Sequence, residues 1–212
     1  MTINLKNLLN PNAKISKMGD FQELKQIEGL SISAVSADLY ENGRDDVSLF
    51  YFKDGAKYAA LYTKSIIVSE SIHWNLKNKN KSIKALFVNT KNANTFTGKK
   101  GFQGLKELSR SLSKHLTLKL AQAPEGAKDV IDPNEIIFAS TGVIGDVFPT
   151  EKIKEQIPYL IKNLKNNQNK YVWFKAASSI LTTDMRPKLA FEECEIGSKK
   201  IKTSAIAKGS GT

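Results

Sequence analysis

Short runs of β-branched and aromatic residues alternate along the chain with turns rich in Gly, Asn, Asp and Lys, a pattern typical of short strands. These runs predict strands at 31–39, 47–52, 57–63, 83–89, 135–140, 188–196 and 200–207. The second and third runs flank Asp54 and Gly55, a dipeptide typical of tight turns, and predict a hairpin there. Both arms alternate only partly, so we expect one face of the sheet to be buried.

Leucine and isoleucine at spacings of three and four predict helices between these strands. The first covers 101–121. The second follows Thr150, which is expected to cap it, and contains Pro158, which is expected to kink or restart it. The third covers 171–184. These elements predict a single α+β domain over 1–212, with mixed or antiparallel sheet and packed helices.

Composition argues against a chain that is disordered throughout and against a dedicated nucleic-acid-binding protein. Hydrophobic residues make up 41% of the 212 residues and charged residues 25%, an ordinary globular balance. The net charge of +11 is typical of some nucleic-acid-binding proteins, but the lysines are scattered through turns and helix ends. No helix-turn-helix, zinc or RNP-type pattern accompanies them. We therefore interpret the lysines as a solvated surface and expect no nucleic-acid partner.

The chain carries no sign of a membrane or secreted protein. No apolar run approaches the roughly 20 residues of a membrane helix, and the first residues lack the features of a signal peptide. Cys194 is the single cysteine, which fits a reducing compartment. It lies between two glutamates that disfavour a thiolate, so we interpret it as structural. We expect a cytoplasmic protein with no membrane partner.

The usual catalytic sets are missing. His73 and His115 share no metal-ligand spacing and read as packing, capping or solvated residues. No nucleophile elbow, phosphate-binding loop or dinucleotide fingerprint occurs. The residue types therefore predict no bound metal and no tightly bound cofactor.

Three clusters of small polar residues remain. NTKNANTFTG (89–98) reads on its own as an Asn/Gly turn after a strand. ASTGVIGDVFPT (139–150) also follows a strand, and its small residues allow backbone N–H groups to point outward together, as an oxyanion hole requires. LTTDMRPK (181–188) reads on its own as the end of a helix before Pro187.

These clusters occur in this order and are followed by KGSG at 208–211. Together they make the sequence resemble the α subunit of the ornithine acetyltransferase / glutamate N-acetyltransferase family of arginine biosynthesis. The STGVIG loop of that family is unchanged at 140–145, and its TTD with a following proline and lysine falls at 182–188. The resemblance runs from about residue 85 to the end, while the first 80 residues match only in strand layout.

The resemblance implies a self-processing architecture of the N-terminal-nucleophile type, similar to DmpA and ornithine acetyltransferase. A precursor cleaves itself, and the new N-terminal threonine of the β chain is the nucleophile, with its own α-amine as the base. Acetyl passes from N-acetylornithine to that threonine and then to glutamate, a ping-pong transfer. The implied partner is the β chain, in an α2β2 heterotetramer. Whether acetyl-coenzyme A also serves as a co-substrate, as in bifunctional members, is left open.

The resemblance also assigns residues. Thr141 and Gly142 would form the oxyanion hole, Thr182 and Lys208 would bind substrate with Thr183 beside them, and two asparagines would act as scaffold: Asn92 and Asn94. Lysine is chemically suited to the α-carboxylates of N-acetylornithine and glutamate. A self-processing aminopeptidase or amidohydrolase of the same architecture is the alternative.

Some residues depart from the family pattern. Lys91 stands at a usual glycine, Phe96 at a small residue or cysteine, and Met185 at a threonine, so we expect the first loop to be shaped differently. Thr212 falls where the family has a methionine before the cleaved threonine, so it is not the expected nucleophile. The last residues, AIAKGSGT, are expected to approach the self-cleavage site.

Overall fold

The computed structural model describes residues 24–77, 82–122 and 130–209, which contain both helices and strands. In chain order the elements are β1 (Leu30–Val35), β2 (Val47–Lys57), α1 (Glu70–Lys77), β3 (Ser82–Asn89), α2 (Gly98–Ala121), β4 (Ile136–Ser140), α3 (Thr150–Lys162), α4 (Lys170–Ser179), β5 (Lys188–Ile196) and β6 (Lys199–Ala207). A short 3-10 turn, Pro133–Glu135, precedes β4.

The first four strands form one sheet in the order β1-β2-β3-β4. β1 pairs with β2 and β2 with β3 in antiparallel register, while β3 and β4 are parallel. β5 and β6 form a separate antiparallel hairpin. The predicted α+β class with a mixed sheet and packed helices is therefore confirmed. That residues 1–212 make a single domain stays a prediction, because the first 23 residues lie outside the described part of the chain.

The predicted hairpin at Asp54 and Gly55 is wrong, because β2 runs through both residues. The pairing between β2 and β3 shifts register between Tyr51 and Ala56, which makes the dipeptide part of a bulge. Gly55 has a φ of +77°, which suits a bulge as well as a turn. The predicted third strand at 57–63 is absent, since residues 58–63 belong to no strand.

Both faces of the four-stranded sheet are buried, not one as expected. Helices α2 and α3 cover the face that carries Leu49 and Phe87. Helix α4 and the start of the β5–β6 hairpin cover the opposite face, where Phe50 packs with Trp173 and Phe191. Consecutive positions of β2 therefore point into two cores, and this explains why its hydrophobic alternation is incomplete.

The helices differ from expectation at their ends. α3 does not restart at Pro158, which lies on the exposed side of the helix, where water can reach the carbonyl that the proline leaves unpaired. Thr150 is the first residue of α3 and provides no side-chain cap. α4 ends at Ser179, five residues earlier than predicted (184 − 179). Within the described residues, no helix is both long and apolar enough to span a bilayer.

Side chains of α1 close the outer edge of β4. The Trp74 Nε1–H donates to the Ile136 carbonyl at 2.9 Å. The Asn75 side chain makes two bonds to Phe138: its amide donates to the carbonyl at 2.8 Å, and its oxygen accepts from the backbone N–H at 3.0 Å. A strand edge left unpaired exposes such groups to another chain or leaves them buried and unsatisfied. The Asn75 side chain thus makes the two hydrogen bonds to Phe138 that a neighbouring strand would otherwise make.

Replacing Asn75 by leucine should lower the free energy of unfolding by about 2–4 kcal/mol, because one buried N–H and one buried C=O lose their partners. Leu76→Ala is the matched control, since Leu76 is 60% exposed and should change stability by less than about 0.5 kcal/mol. Urea unfolding of the two variants measures both values. Equal effects would contradict the edge-closing role of Asn75.

Candidate active site

Two loops leave the sheet side by side at the carboxyl ends of the parallel strands β3 and β4. We name residues 89–98 the asparagine loop and residues 140–145 the STG loop. The strand pairing continues into them: the Thr141 N–H donates to the Asn89 carbonyl at 3.1 Å, and the Val143 N–H donates to the Lys91 carbonyl at 2.8 Å. Ala93 returns a bond to the Val143 carbonyl at 2.9 Å. The two sequence clusters therefore form one paired structure.

Gly142 packs directly against the backbone of the asparagine loop. Its φ of +136° is a conformation that side chains rarely adopt. A Cβ atom there would lie 2.2 Å from the carbonyl carbon of Lys91 and 2.6 Å from the nitrogen of Asn92. The residue is exposed on its other side, and its N–H donates no hydrogen bond within the described part of the chain. Gly142 thus combines a fixed backbone with an N–H that has no partner among the described residues.

The predicted scaffold residues, Asn92 and Asn94, are buried members of the asparagine loop. Asn92 is 4% exposed, donates its amide to the carbonyls of Asp146 (3.1 Å) and Val147 (3.2 Å), and accepts from the Asn94 N–H at 2.7 Å. Asn94 is fully buried, and its side-chain oxygen accepts from the Thr97 hydroxyl at 2.6 Å. These bonds join the asparagine loop to the two residues that follow the STG loop and to the residue that precedes α2. Their scaffold role stays a prediction.

The asparagine loop contains several residues in the left-handed region, among them Lys91 (φ 70°), Asn94 (50°) and Phe96 (59°). Glycine and asparagine adopt this region most readily, so Lys91 occupies a conformation that suits the glycine expected there. Tyr40 supports it, because its hydroxyl accepts from the Lys91 N–H at 3.1 Å and its ring lies 5.5 Å from the Lys91 ammonium. The lysine therefore keeps a backbone shape that favours glycine.

A partly buried chain of hydrogen bonds connects the strand ends to α1. The Ser71 and Ser140 hydroxyls are 2.7 Å apart, and Ser140 donates to the side-chain oxygen of Asn89 at 2.7 Å. Since Ser140 uses its hydrogen on Asn89, Ser71 is the donor to Ser140. Asn89 in turn donates to the carbonyl of Asn92 at 2.9 Å. Only the serine of the STG motif signalled this network.

The structure brings two predicted site residues into contact across 67 positions of sequence. The Lys208 ammonium donates to the Thr141 hydroxyl oxygen at 2.9 Å. Because an ammonium only donates, the hydroxyl accepts this bond and keeps its own hydrogen free for another acceptor. The Thr141 N–H is already bonded to Asn89, so the hydroxyl is the donor that Thr141 can offer a ligand.

Asp184 lies beside this contact and is the polar residue that sequence reasoning left without a role. Its side chain is 4% exposed, and Oδ1 accepts from the Lys188 ammonium and from the Gly209 N–H, each at 2.5 Å. Burial raises the pKa of this carboxyl, but the bonds from Lys188 and Gly209 and the charges of Lys188 and Lys208 outweigh it, and the net shift is downward. The carboxylate is therefore ionised.

Thr182 and Thr183 lie in the same segment, between α4 and β5. Thr182 is half-buried and Thr183 exposed, and neither makes a hydrogen bond to another described residue. The bond from Gly209 to Asp184 brings this segment next to Lys208. Their substrate-binding role stays a prediction. Ser210, Gly211 and Thr212, the last residues of the predicted motif, lie outside the described residues.

The other candidates lie elsewhere. His73 pairs with Glu70 at 3.1 Å, and the Nδ1 atom of His115 lies 2.8 Å from the Ser111 carbonyl oxygen within α2. Cys194 is exposed, not packed as a structural cysteine would be, and lies toward the turn of the β5–β6 hairpin, away from Lys208. Among the residues that the structure describes, no group of three or more His, Cys, Asp or Glu side chains could hold a metal ion.

Comparisons with known proteins identify relatives for most of the chain. The model of the ArgJ family matches residues 31–212. The arginine biosynthesis bifunctional protein ArgJ of Gluconobacter oxydans is 33% identical over 190 residues, which are 89% of this chain and 41% of that protein. The protein of the same name from Rhizobium meliloti is 33% identical over 192 residues, which are 90% of this chain and 42% of the Rhizobium meliloti protein. The chain thus spans about two fifths of the length of these relatives.

Two solved structures share the fold. The arginine biosynthesis bifunctional protein ArgJ of Bacillus halodurans superposes with a TM-score of 0.74 at 22% identity, covering 87% of this chain and 88% of that one. Ornithine acetyltransferase from Mycobacterium tuberculosis, solved in complex with ornithine, gives a TM-score of 0.74 at 21% identity, covering 90% of this chain and 95% of that one. At these identities the likeness concerns the fold.

Gly142→Ala should lower the free energy of unfolding by about 2 kcal/mol or more, because the added methyl group meets the backbone of Lys91 and Asn92, which cannot move without breaking the loop pairing. Gly145→Ala is the control: its φ is +88°, but no atom lies within 4 Å of the added carbon, so only backbone strain of about 1 kcal/mol is expected. Chemical unfolding distinguishes them, and equal losses would contradict the steric account.

The lowered pKa of Asp184 predicts a pH-dependent contribution to stability. It is present above the ordinary aspartate pKa of about 3.9 and is lost as pH falls through the lower folded value. The difference in unfolding free energy between wild type and Asp184→Asn should therefore be constant from about pH 7 to 5 and shrink below about pH 4, measured by urea unfolding at each pH.

Asp45 provides a control of opposite sign. Burial raises its pKa more than Lys175 lowers it. Wild type should therefore gain stability relative to Asp45→Asn as pH falls through that raised value. A difference for Asp184→Asn that follows the Asp45 direction, or stays undiminished at about pH 3, would contradict the assignment for Asp184.

Proposed function

The chain belongs to the ArgJ family, as its motifs predict, and we propose that it supplies the oxyanion hole and part of the substrate site of an acetyltransferase of arginine biosynthesis. The reaction moves acetyl from N-acetylornithine to glutamate and yields ornithine and N-acetylglutamate. The observation that carries the proposal is the 2.9 Å bond from Lys208 to the Thr141 hydroxyl, next to the free N–H of Gly142.

Thr141 and Gly142 suit the stabilisation of a developing oxyanion. One offers a hydroxyl hydrogen and the other a backbone N–H, and the paired loops hold both in position before a substrate arrives. The ammonium of Lys208 polarises the hydroxyl by donating to its oxygen, which strengthens the hydroxyl as a donor to negative charge. Two donors of this kind are what a tetrahedral intermediate of acyl transfer requires.

Lys208 also suits substrate binding. An ammonium has three donors, and the bond to Thr141 uses one of them. The other two can meet the α-carboxylate that N-acetylornithine and glutamate share. Thr182, half-buried and without a hydrogen bond to another described residue, is the proposed second contact to the substrate, with Thr183 beside it.

The nucleophile belongs to the part of the protein that extends beyond this chain in its relatives. In our proposal an N-terminal threonine on a β chain attacks the acetyl carbon while its α-amine takes the hydroxyl proton. The tetrahedral intermediate collapses, the C–N bond breaks, and the departing amine of ornithine receives that proton. Glutamate then attacks the acetyl-threonine ester through its α-amine and regenerates the threonine. No metal or bound cofactor takes part.

The family membership supports further expectations. The curated relatives are called bifunctional, so we propose acetyl-coenzyme A as a second acetyl donor to the same threonine. Ornithine acetyltransferase from Mycobacterium tuberculosis was solved in complex with ornithine, which supports ornithine as a ligand of the site in our proposal. We further propose that self-cleavage produces the two chains, which assemble as a cytoplasmic α2β2 heterotetramer. Mass and N-terminal sequence of the co-purified partner test this, because the β chain should begin with threonine.

A self-processing hydrolase of the same architecture is the second candidate, because the oxyanion hole serves water as well as an amine acceptor. The two reactions are distinguished by incubating the processed enzyme with N-acetylornithine, with and without glutamate. Formation of N-acetylglutamate that accounts for the ornithine released supports transfer. Release of acetate at the same rate in both mixtures would favour hydrolysis.

Thr141→Val should lower kcat for acetyl transfer by about 100- to 1,000-fold, because it removes one oxyanion donor and keeps the side-chain shape. Thr141→Ser retains the hydroxyl and should keep most of the activity. Both variants preserve the backbone bond to Asn89, so their thermal midpoints should match the wild type. Steady-state kinetics on the processed enzyme measure the effect. Unchanged turnover in the valine variant would overturn the assignment of Thr141.

A further inference from the structure

The position of Lys208 depends on a contact that lies beyond the strand carrying it. β6 ends at Ala207, which is paired with Lys188, the first residue of β5. The ladder therefore provides no pairing for the two residues that follow. We propose that Asp184 is a positioning residue that binds the Gly209 N–H and thereby holds the Lys208 ammonium on Thr141. This inference rests on the proposed function of the Thr141–Lys208 pair.

The Asp184 carboxylate is built into the fold as a fixed acceptor. Its side chain is 4% exposed, and the Gly209 N–H donates to its Oδ1 at 2.5 Å. The Lys188 ammonium binds the same oxygen from the start of β5. One oxygen therefore joins the segment before β5 to Gly209, the second residue after β6, at the end of the hairpin nearest the site.

Gly209 permits this contact because it has no side chain. A Cβ atom at that position would lie 2.9 Å from Asp184 Oδ1, closer than real Cβ atoms approach. Asp184 Oδ2 is buried and has no hydrogen-bond partner among the described residues. All the described bonds of the side chain thus pass through Oδ1, so an asparagine whose carbonyl oxygen occupies that place can still accept from Gly209.

The consequence for catalysis follows from the length of the lysine side chain. Its four-carbon stem is flexible, so the ammonium stays on Thr141 only if the backbone that carries it is held. A displacement of about 1 Å in a site of this kind can cost on the order of 100-fold in rate. Asp184 would act through Lys208, without touching the substrate.

Three variants of the processed enzyme test the proposal. Asp184→Ala should lower kcat/KM for acetyl transfer by about 10- to 100-fold. Asp184→Asn should recover much of that loss, because it keeps an acceptor for Gly209. Gly209→Ala should impair transfer with the carboxylate intact, and it keeps the proposal testable if Asp184→Ala does not fold. Wild-type kcat/KM in both Asp184→Ala and Gly209→Ala would overturn the proposal.

A double-mutant cycle separates positioning from a general loss of stability. If Asp184 acts through Lys208, then Asp184→Ala should have little further effect on kcat/KM in a Lys208→Ala background. Multiplicative losses would show that it acts independently and would overturn the proposal. Asp45→Ala is the matched control: it removes an aspartate paired with Lys175 at 3.3 Å, and should leave kcat/KM unchanged.

Hydrogen exchange at the Gly209 amide gives a readout that needs no activity. The amide should be protected in wild type and Asp184→Asn, and should exchange at least 10-fold faster in Asp184→Ala. If wild type transfers no acetyl group to glutamate, the proposed function is what fails. Faster exchange in Asp184→Ala would then still support the hold on Gly209, and unchanged exchange would still overturn it.

Discussion

The parallel pairing of β3 with β4 is the constraint on which the rest of the site depends. Parallel strands end at the same edge of a sheet, so the loops that follow them begin as neighbours. Here the pairing does not stop at the last strand residues but continues through Thr141 and Val143. The fixed hydrogen bonds decide which donors remain: the Thr141 N–H is used on Asn89, whereas its hydroxyl and the Gly142 N–H are not part of the ladder. Strand geometry thus explains why the proposed oxyanion hole uses a side-chain donor from Thr141 and a backbone donor from Gly142.

The second half of the site reaches these loops from a distant part of the chain. Lys208 arrives at the end of a hairpin whose first residues pack on the face of the sheet that carries Phe50. That packing aligns the hairpin, but its ladder ends at Ala207. Beyond Ala207 the chain is held by an electrostatic contact, because the buried carboxylate of Asp184 accepts from both the Lys188 ammonium and the Gly209 N–H. Hydrophobic packing therefore orients the hairpin, and the bond from Gly209 to the Asp184 carboxylate positions the backbone next to Lys208.

Sequence patterns missed α1 (Glu70–Lys77) but predicted the other three described helices and most strands, because their signals are local. The Asp54-Gly55 hairpin failed for the same reason: a left-handed glycine after an aspartate serves a bulge as well as a turn, and only the pairing partner decides between them. The motifs identified the residues of the candidate site, yet the Lys208–Thr141 contact spans 67 positions and no periodicity encodes it. Asp184 was visible in the TTD motif, but its role depends on Gly209, which only the fold brings near.

Lys91 shows that a residue can depart from the family pattern while the backbone keeps the conformation that the usual glycine favours. The position has a φ of 70°, which favours glycine, and a lysine there is strained by roughly 1 kcal/mol. Two contacts with Tyr40, one from the backbone N–H and one from the ammonium, oppose that strain. The carbonyl of Lys91 is also the acceptor for Val143, so the residue cannot relax to another conformation without breaking the pairing that holds Gly142. The demand for a left-handed residue thus comes from the pairing with the STG loop, and Tyr40 allows a residue other than glycine to meet it.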